Sequence, residues 1–389
     1  MTASAALAAA LDAAHAVGPL IVERADAAEQ RGCLDDDVVE ALRAGGLFGA
    51  LVPTELGGLD LTLPEVTEVT RTLSTYDASV GWVYAITSGA PLAGRLLARS
   101  AFDELLSDSH PLMAGSLNPT TGKATAVDGG YRFTGTAMFA SGCRHASWLM
   151  AGAWVHRDGE PSFTAKGPEF IAGVMPIDGV RINDTWSVSG MRATGSNDCT
   201  IDDVFVSDDW VFPWFDAVPR FETGVFGRIP LLLQFGPGLA ATVVGAARAA
   251  QQHFIELASA KRPVGAVTTL AERAYGQMAA GEAEGLILAA EDTLAAAAAE
   301  AWRRGERGER FDTAARVAFR MRLVTAARLA SRALDLLHDA AGMNAIAVPS
   351  PLERAWRDAH AATQHILLSV GRIEVAGKAL LGLDPGFVI

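Results

Sequence analysis

Residues 45–58 of the chain are GGLFGALVPTELGG, an apolar stretch bounded by glycines and interrupted by a proline. Gly and Pro end regular structure so strongly that this stretch predicts a loop. Before it, Asp35–Asp37 offer N-caps and favourable charge to a helix that Gly45 and Gly46 end. After it, Pro64 occupies the first turn of a second helix, where proline is tolerated. The first 110 or so residues are therefore predicted to be helical.

The pattern changes from about Met113. Helix-length periodicity is missing, and Asp128-Gly129-Gly130 is a turn signal. Short runs rich in strand-forming residues follow, bounded by Gly, Pro and Asp, at 147–155, 170–177 and 200–206. This part of the chain predicts a compact β-domain.

Long helices return after Pro237. Four Ala- and Leu-rich segments separated by short polar breaks cover residues 239–260, 270–303, 313–340 and 353–381. Such segments predict an antiparallel four-helix bundle. The predicted fold class is α+β, with an N-terminal helical domain (1–112), a β-barrel or β-sandwich domain (113–225) and a C-terminal four-helix bundle (226–389).

Composition excludes several classes of function. The 389 residues are half hydrophobic and carry a formal net charge of −13, which disfavours nucleic acid and anionic membranes as partners. The apolar patches are broken by charges, so no membrane span is expected. The three cysteines, Cys33, Cys143 and Cys199, show neither metal-ligand spacing nor a disulfide framework. A metal-free protein of a reducing cytoplasm fits this composition best.

Four segments carry a resemblance to a known family. They are the loop at 45–58, GTAMFASG at 135–142, GMRATGS at 190–196 leading into DVFV at 203–206, and LERAWRDA at 352–359. Each segment alone is a weak signal, but their order and separations are specific. Along nearly its whole length the chain resembles the acyl-CoA dehydrogenase superfamily.

The resemblance implies a homotetramer that binds flavin between the β-domain and the C-terminal bundle. Phe139 stands where the dehydrogenases usually place a Trp against the flavin. Ser141 stands where a hydroxyl faces flavin N5, and Ala140 belongs to the same cofactor-binding segment.

Other positions depart from the family pattern. Ser116 and Asn118 lie in a flavin-lining loop that lacks the usual Thr-Glu-Pro sequence. Arg262 resembles the arginine that binds the cofactor diphosphate from a neighbouring subunit. The usual Gln and double Gly are replaced by HDAAG at 338–342, so FMN stays open beside FAD.

The catalytic base of the dehydrogenases is missing. That reaction removes an α-proton and needs a carboxylate over the substrate. At the family's two known base positions this chain has Ile366 and Ile229. Isoleucine cannot accept a proton, so α,β-dehydrogenation by the family's mechanism is not expected.

The same substitutions resemble the flavin-dependent monooxygenase branch of the superfamily. The matching features are Trp82 in SVGW, the run SGCRHASW at 141–148, and His360 and His365 after Arg357-Asp358. This branch implies reduced flavin from a separate reductase and a flavin C4a-hydroperoxide, which decays unless water is excluded and the N5 proton is held.

Each candidate residue then has an expected role. Ser141 is expected to hold the N5 proton. His365 is expected to steer protons, because histidine titrates near neutral pH. Trp82 and His145 are expected to line the substrate pocket, while Ser196 is assigned to loop structure.

The sequence therefore predicts a cytoplasmic monooxygenase that uses reduced flavin (FADH2 or FMNH2) and O2. Its substrate is predicted to be a small aromatic or heteroaromatic molecule, and its transient partner a flavin reductase. Two alternatives stay open. One is an acyl-CoA dehydrogenase with a relocated base, and the other is a non-catalytic binding protein that keeps the fold.

Overall fold

The structure is a computed structural model that describes residues 4–116, 121–165, 167–215 and 217–386. Helices come first, strands second and helices again last, which confirms the predicted fold class. The N-terminal helices are α1 (Ala5–Arg31), α2 (Asp36–Ala44), α3 (Leu63–Ser74), α4 (Ala78–Thr87), α5 (Ala90–Gly94) and α6 (Arg99–Leu105).

Local capping explains where these helices begin. The Asp35 carboxylate accepts a hydrogen bond from the Asp37 amide at 3.1 Å and caps α2. Thr62 and Glu65 form a reciprocal capping box at the start of α3, and Pro64 lies in its first turn. The predicted loop at 45–58 lies between these two helices and contains two short 3-10 turns.

The strands are β1 (Met113–Ser116), β2 (Lys123–Val127), β3 (Gly130–Ala140), β4 (Trp148–Arg157), β5 (Glu160–Pro161), β6 (Phe163–Thr164), β7 (Gly167–Pro168), β8 (Phe170–Pro176), β9 (Arg181–Ile182), β10 (Asn197–Ser207) and β11 (Val211–Pro213). Within the described ranges, most of them form one mixed sheet in the order β11-β8-β4-β2-β3-β10-β9. Strands β1 and β5 pair with β4, while β6 and β7 form a separate hairpin.

The register of β3 and β10 positions the candidate site. The two strands are antiparallel, and Ala140 at the end of β3 faces Asn197 at the start of β10. The residues just outside these strand ends, Ser141 and Ser196, are therefore brought together.

The C-terminal helices are α7 (Leu231–Ala260), α8 (Ala274–Glu306), α9 (Thr313–Ala341), α10 (Pro351–Ala362) and α11 (Gly371–Leu380). The prediction of one fourth helix over 353–381 is wrong, because α10 and α11 are separate. Between them, the Leu367 amide donates to His365 Nδ1 at 3.2 Å. In a continuous helix that amide would donate to the carbonyl of Thr363, so the histidine side chain competes with helix propagation.

Helix α7 joins the two helical regions into one core. It packs against α3 and α4 on one side and against α8, α9 and α10 on the other. A Cβ at Gly245 would lie 2.4 Å from the Arg71 carbonyl oxygen, so α3 can approach α7 this closely only at a glycine.

In the part of the chain that the structure describes, two helices are long and apolar enough to cross a membrane, contrary to the expectation from the sequence. They are α1 and α7. Length and composition alone set this criterion, and 72% of the apolar window of α7 is buried within the fold. Such burial is typical of a core helix, whose apolar side chains pack against neighbouring helices.

Candidate active site

Ser141 lies in a sharp bend that follows β3. Phe139 has a φ of 62°, an unusual value for a bulky residue, and its amide donates to Asp198 Oδ1 at 3.2 Å. The Phe139 ring is exposed (59%) and meets Trp186 edge to face, whereas Ser141 is buried. The bend therefore presents an exposed aromatic ring two residues from a buried hydroxyl.

Helix α4 approaches this bend and supplies Trp82. The Trp82 indole Nε1 donates to Ser141 Oγ at 3.1 Å, and both residues are buried. Asp77 begins the helix by accepting the Val80 amide at 3.1 Å. A Cβ at Gly142 would lie 2.7 Å from Thr87 Cγ2, so the glycine permits the close contact between bend and helix.

Three hydroxyl groups continue inward from the bend, and we call Ser141, Ser196 and Thr194 the hydroxyl chain. The oxygens of Ser141 and Ser196 are 2.7 Å apart, and those of Ser196 and Thr194 are 2.6 Å apart. The Thr194 hydroxyl donates to the Met191 carbonyl at 2.8 Å. The sequence analysis missed Ser196 and Thr194 as members of the site, because the loop pattern around them does not show which side chains turn inward.

Helix α10 fixes the loop that carries Ser196 and Thr194. Asp358 Oδ1 accepts the Met191 amide at 2.5 Å, and a Cβ at Gly190 would lie only 2.3 Å from the Arg357 carbonyl oxygen. Burial, with the nearby Asp77 acting in the same direction, raises the pKa of Asp358 to about 7. This buried carboxyl is structural, since it joins α10 to the loop.

His365 also contacts Trp82. The two rings meet edge to face with their centroids 5.4 Å apart. Burial lowers the pKa of His365 to about 4, with the nearby charge of Arg320 acting in the same direction. The ring is therefore neutral at pH 7. Because Nδ1 accepts the Leu367 amide, the ring proton is on Nε2. The structure thus brings Trp82, Ser141 and His365 together.

Arg320 on α9 is a second group that the sequence analysis missed. It is 3% exposed, and its three guanidinium nitrogens have no hydrogen-bond partner in the described part of the chain. Burial lowers its pKa to about 10, and Arg372 and Arg316 add repulsion. Its Nη1 lies 4.0 Å from where a Cβ of Gly236 would be. Arg320 is one of five arginines in α9, and the sequence does not distinguish it from the other four.

A small cavity of about 20 Å³ lies where α3, α4 and α7 meet. Gln234 lines it, and Gln234 Oε1 is buried without a hydrogen-bond partner. Nearby, the buried Arg95 stacks over the ring of Phe226, another lining residue, and Arg95 Nη1 also has no partner. The cavity has room for about one water molecule.

Three other cofactor-binding candidates belong to the β-domain: Ala140, Ser116 and Asn118. Ala140 is fully buried at the end of β3. Ser116 ends β1 and is buried. Asn118 lies outside the described residues.

His145 and Arg262 have surroundings of their own. His145 Nδ1 is 3.6 Å from Asp36 Oδ1 at the start of α2, and burial lowers the pKa of the ring. Arg262 is exposed just beyond the end of α7. Along that helix it is roughly 33 Å from Gly238, which packs against Ala85 on α4. Neither residue joins Trp82, Ser141 and His365 within this chain.

Neither candidate position for a dehydrogenase base carries an acid. Ile366 is half-exposed in the turn between α10 and α11. Ile229 is buried just before α7, where its side chain lies 3.0 Å from the Cβ position of Gly305 on α8. The site therefore combines a hydroxyl, an indole and a neutral imidazole, with no carboxylate at either position.

Comparison with known proteins places this geometry in a family. The family model "Acyl-CoA dehydrogenase, N-terminal domain" matches residues 12–105, and "Acyl-CoA dehydrogenase, C-terminal domain" matches residues 237–370. A pigment production hydroxylase of Rhodococcus sp. (strain ATCC 21145) is 30% identical over 388 residues, covering 96% of this chain and 97% of that protein.

Two further similarities concern proteins whose names mention reduced flavin. The oxygenase component of an FADH(2)-dependent resorcinol hydroxylase of Rhizobium sp. (strain MTP-10005) is 32% identical, covering 89% of this chain and 88% of that protein. The structure of XiaF from Streptomyces sp. in complex with FADH2 and glycerol superposes with a TM-score of 0.89 at 27% identity. It covers 98% of this chain and 97% of that one.

Proposed function

The chain belongs to the acyl-CoA dehydrogenase superfamily, in its flavin-dependent monooxygenase branch, and we propose which of its residues carry out the reaction. It is an oxidoreductase that uses reduced flavin and O2. The observation that carries the proposal is the contact of Trp82 with both Ser141 and His365, in a chain whose two base positions are occupied by Ile366 and Ile229.

The residues of the bend fit a flavin. The exposed ring of Phe139 offers a flat apolar surface, and Ser141 offers a hydroxyl beside it. The reduced flavin, when bound, supplies the activation of O2. Ser141 would contact flavin N5, and Phe139 would pack against the ring system, with Ala140 and Ser116 beside them. In this way the strand end orients the cofactor.

On the substrate side, His365 would donate a hydrogen bond and Trp82 would exclude water. The neutral His365 ring carries its proton on Nε2 and can donate a hydrogen bond from it to an oxygen of the reacting group. Trp82 covers both His365 and Ser141, and a water-poor site suppresses the unproductive release of hydrogen peroxide. His145 would line the substrate pocket only if that pocket extended to the start of α2.

The substrate would be a small aromatic or heteroaromatic molecule, since the relatives include a resorcinol hydroxylase. A separate reductase supplies the reduced flavin, as the name "oxygenase component" implies. Arg262 would bind the cofactor phosphates of a neighbouring subunit in a cytoplasmic homotetramer. Arg262 is exposed and lies roughly 33 Å along α7 from Gly238. Both observations support a role outside its own chain.

Stopped-flow absorbance tests this function. Protein mixed with reduced FMN or reduced FAD is exposed to oxygenated buffer, with and without a panel of phenols and indoles. We expect a transient absorbance distinct from both reduced and oxidised flavin, and one flavin should give the longer lifetime. Reoxidation at the rate of free flavin in every mixture would contradict the proposal. Bleaching of the oxidised flavoprotein by an acyl-CoA would favour the dehydrogenase instead.

A further inference from the structure

We infer that Ser196 and Thr194 are positioning residues that hold the Ser141 hydroxyl as a hydrogen-bond acceptor, so that the site selects reduced over oxidised flavin. This inference rests on the proposed function, because it places flavin N5 at Ser141. It concerns a different question, namely which residues of this chain set the preference for the reduced cofactor.

The direction of the hydroxyl chain follows from its two ends. The Met191 carbonyl has no proton to give, so at 2.8 Å the Thr194 hydroxyl must be the donor. A hydroxyl has a single proton, and that of Thr194 is now committed. In the 2.6 Å contact between Thr194 and Ser196, Ser196 must therefore donate.

The same reasoning fixes Ser141. Because the Ser196 proton points to Thr194, the 2.7 Å contact between Ser141 and Ser196 needs the Ser141 proton. The Trp82 indole is only a donor, so at 3.1 Å it takes one lone pair of Ser141 Oγ. Every proton of the chain thus points inward, away from Trp82 and towards Met191. Ser141 keeps one lone pair and has no proton left for a ligand.

The chain also has little freedom to reverse. The Met191 carbonyl is held by the Trp186 indole at 3.0 Å, and the Met191 amide by Asp358 at 2.5 Å. Ser196 and Thr194 are buried, so water does not offer them other partners. Reversing the Ser141 proton would leave two buried hydroxyls facing each other proton to proton, or would leave the Thr194 and Met191 oxygens 2.8 Å apart with no proton between them.

Flavin N5 distinguishes the two oxidation states by its own proton. In reduced flavin N5 bears a hydrogen and donates, which suits the free lone pair of Ser141. In oxidised flavin N5 only accepts, so it would face another acceptor. The cost of an unmatched buried polar group corresponds to a preference of about five- to 150-fold for the reduced form.

The test compares dissociation constants for oxidised and reduced flavin, measured anaerobically by flavin absorbance and fluorescence, in wild type and Ser196→Ala. In the variant the Ser141 proton loses its acceptor and is free to point to N5. We expect oxidised flavin to bind about tenfold more tightly and reduced flavin to bind almost unchanged. The midpoint potential of the bound two-electron couple should fall by about 30 mV for that tenfold change.

Other variants separate this role from a structural one. Ser141→Ala should affect the other dissociation constant. It should weaken the binding of reduced flavin and leave the binding of oxidised flavin unchanged. Thr194→Val should act like Ser196→Ala but more weakly, while Ser196→Thr keeps a hydroxyl and should restore the wild-type ratio. Ser74→Ala removes a buried hydroxyl that bonds to the Thr70 carbonyl of its own helix, and it should leave both constants unchanged.

The outcomes distinguish this inference from the proposed function. If wild type binds reduced flavin more tightly and Ser196→Ala leaves the ratio unchanged, or weakens both forms equally, the inference is wrong and the function stands. If wild type binds neither form, the proposed function itself fails. Circular dichroism of each variant confirms folding, and Thr194→Val provides the same comparison if Ser196→Ala does not fold.

Discussion

The two sides of the candidate site satisfy their buried polar groups very differently. On the side of the β-domain, each oxygen of the hydroxyl chain has partners at 2.6–3.1 Å, and the chain ends on a carbonyl. On the side of α7 and α9, the Arg320 guanidinium and Gln234 Oε1 are buried without any partner in the described residues. The hydrogen bonds of the first side, which we call the complete side, are all made within the chain. Those of the second, incomplete side are not made by the described residues.

This difference separates two ways of preparing a site. Buried polar groups that already have partners are held in one geometry, which preorganises the hydroxyl chain for its ligand. Buried polar groups without partners cost stability until something arrives to pair with them. We therefore expect variants of the first side to change chemistry, and variants of the second side to change the stability of the ligand-free protein.

His365 lies between the two sides, and its removal should give the largest effect. His365→Ala should still bind reduced flavin, because Ser141 and Phe139 are untouched. Product formation should fall by about 10²- to 10³-fold, the usual effect of removing one positioned hydrogen-bond donor. Hydrogen peroxide should rise in its place. Product and peroxide are measured per flavin consumed.

His360→Ala is the matched control for this variant. His360 lies on the same segment but bonds through Nε2 to Asp335 on α9 at 2.9 Å, so coupling should stay at the wild-type level. Unchanged coupling in His365→Ala would remove His365 from the proposed mechanism.

Asp358, which holds the loop that carries the hydroxyl chain, should make the stability of the protein depend on pH. Its pKa of about 7 lies above the ordinary 3.8, so between these values the folded chain holds a proton that the unfolded chain has lost. This contribution to stability is fully present below about pH 4 and is lost as pH rises to about 7. It amounts to about 4 kcal/mol at most.

Asp358→Asn removes that titration. The free energy of unfolding is measured by urea titration between pH 4 and 8. As pH rises, the value for Asp358→Asn should therefore increase relative to that of the wild type. The exposed Asp339→Asn on α9 should follow the wild-type curve. Parallel curves for Asp358→Asn and wild type would mean that this carboxyl is not the buried acid.

Arg320 tests the incomplete side, with the smallest expected effect. Arg320→Met replaces an unpaired buried charge with an apolar chain, so the ligand-free protein should become more stable by about 1–3 kcal/mol. Denaturant unfolding measures the change. Arg322→Met, two residues further along α9 and exposed, should stay within about 0.5 kcal/mol of wild type. A loss of stability in Arg320→Met would mean that the guanidinium has a partner in the folded protein.

Much of the fold was predictable because it depends on local signals. Asp35, Pro64 and the glycines at 45–58 act on neighbouring residues, and the helices they predict are present. The break between α10 and α11 was not predictable, because the Leu367 amide can donate either to a helical carbonyl or to the His365 ring. That choice depends on packing against Trp82, which is 283 positions away from His365 in sequence.

The candidate site was predictable only in part. The resemblance led to Ser141, Trp82 and His365, and the structure brings these three together. Ser196 and Thr194 were missed because the register of β3 and β10 makes them neighbours of Ser141. Arg320 was missed because burial of a single arginine depends on tertiary packing alone.

The attachment of α10 to the loop at 190–196 has a consequence for how this protein can diverge. Asp358 holds the loop that orders Ser141, and the same helix leads directly into His365. Both reactive groups therefore depend on one helix, whereas the cavity between α3, α4 and α7 is lined largely by other elements. A mutation in α10 would therefore shift Ser141 and His365 together, whereas a mutation in the walls of that cavity leaves this attachment intact.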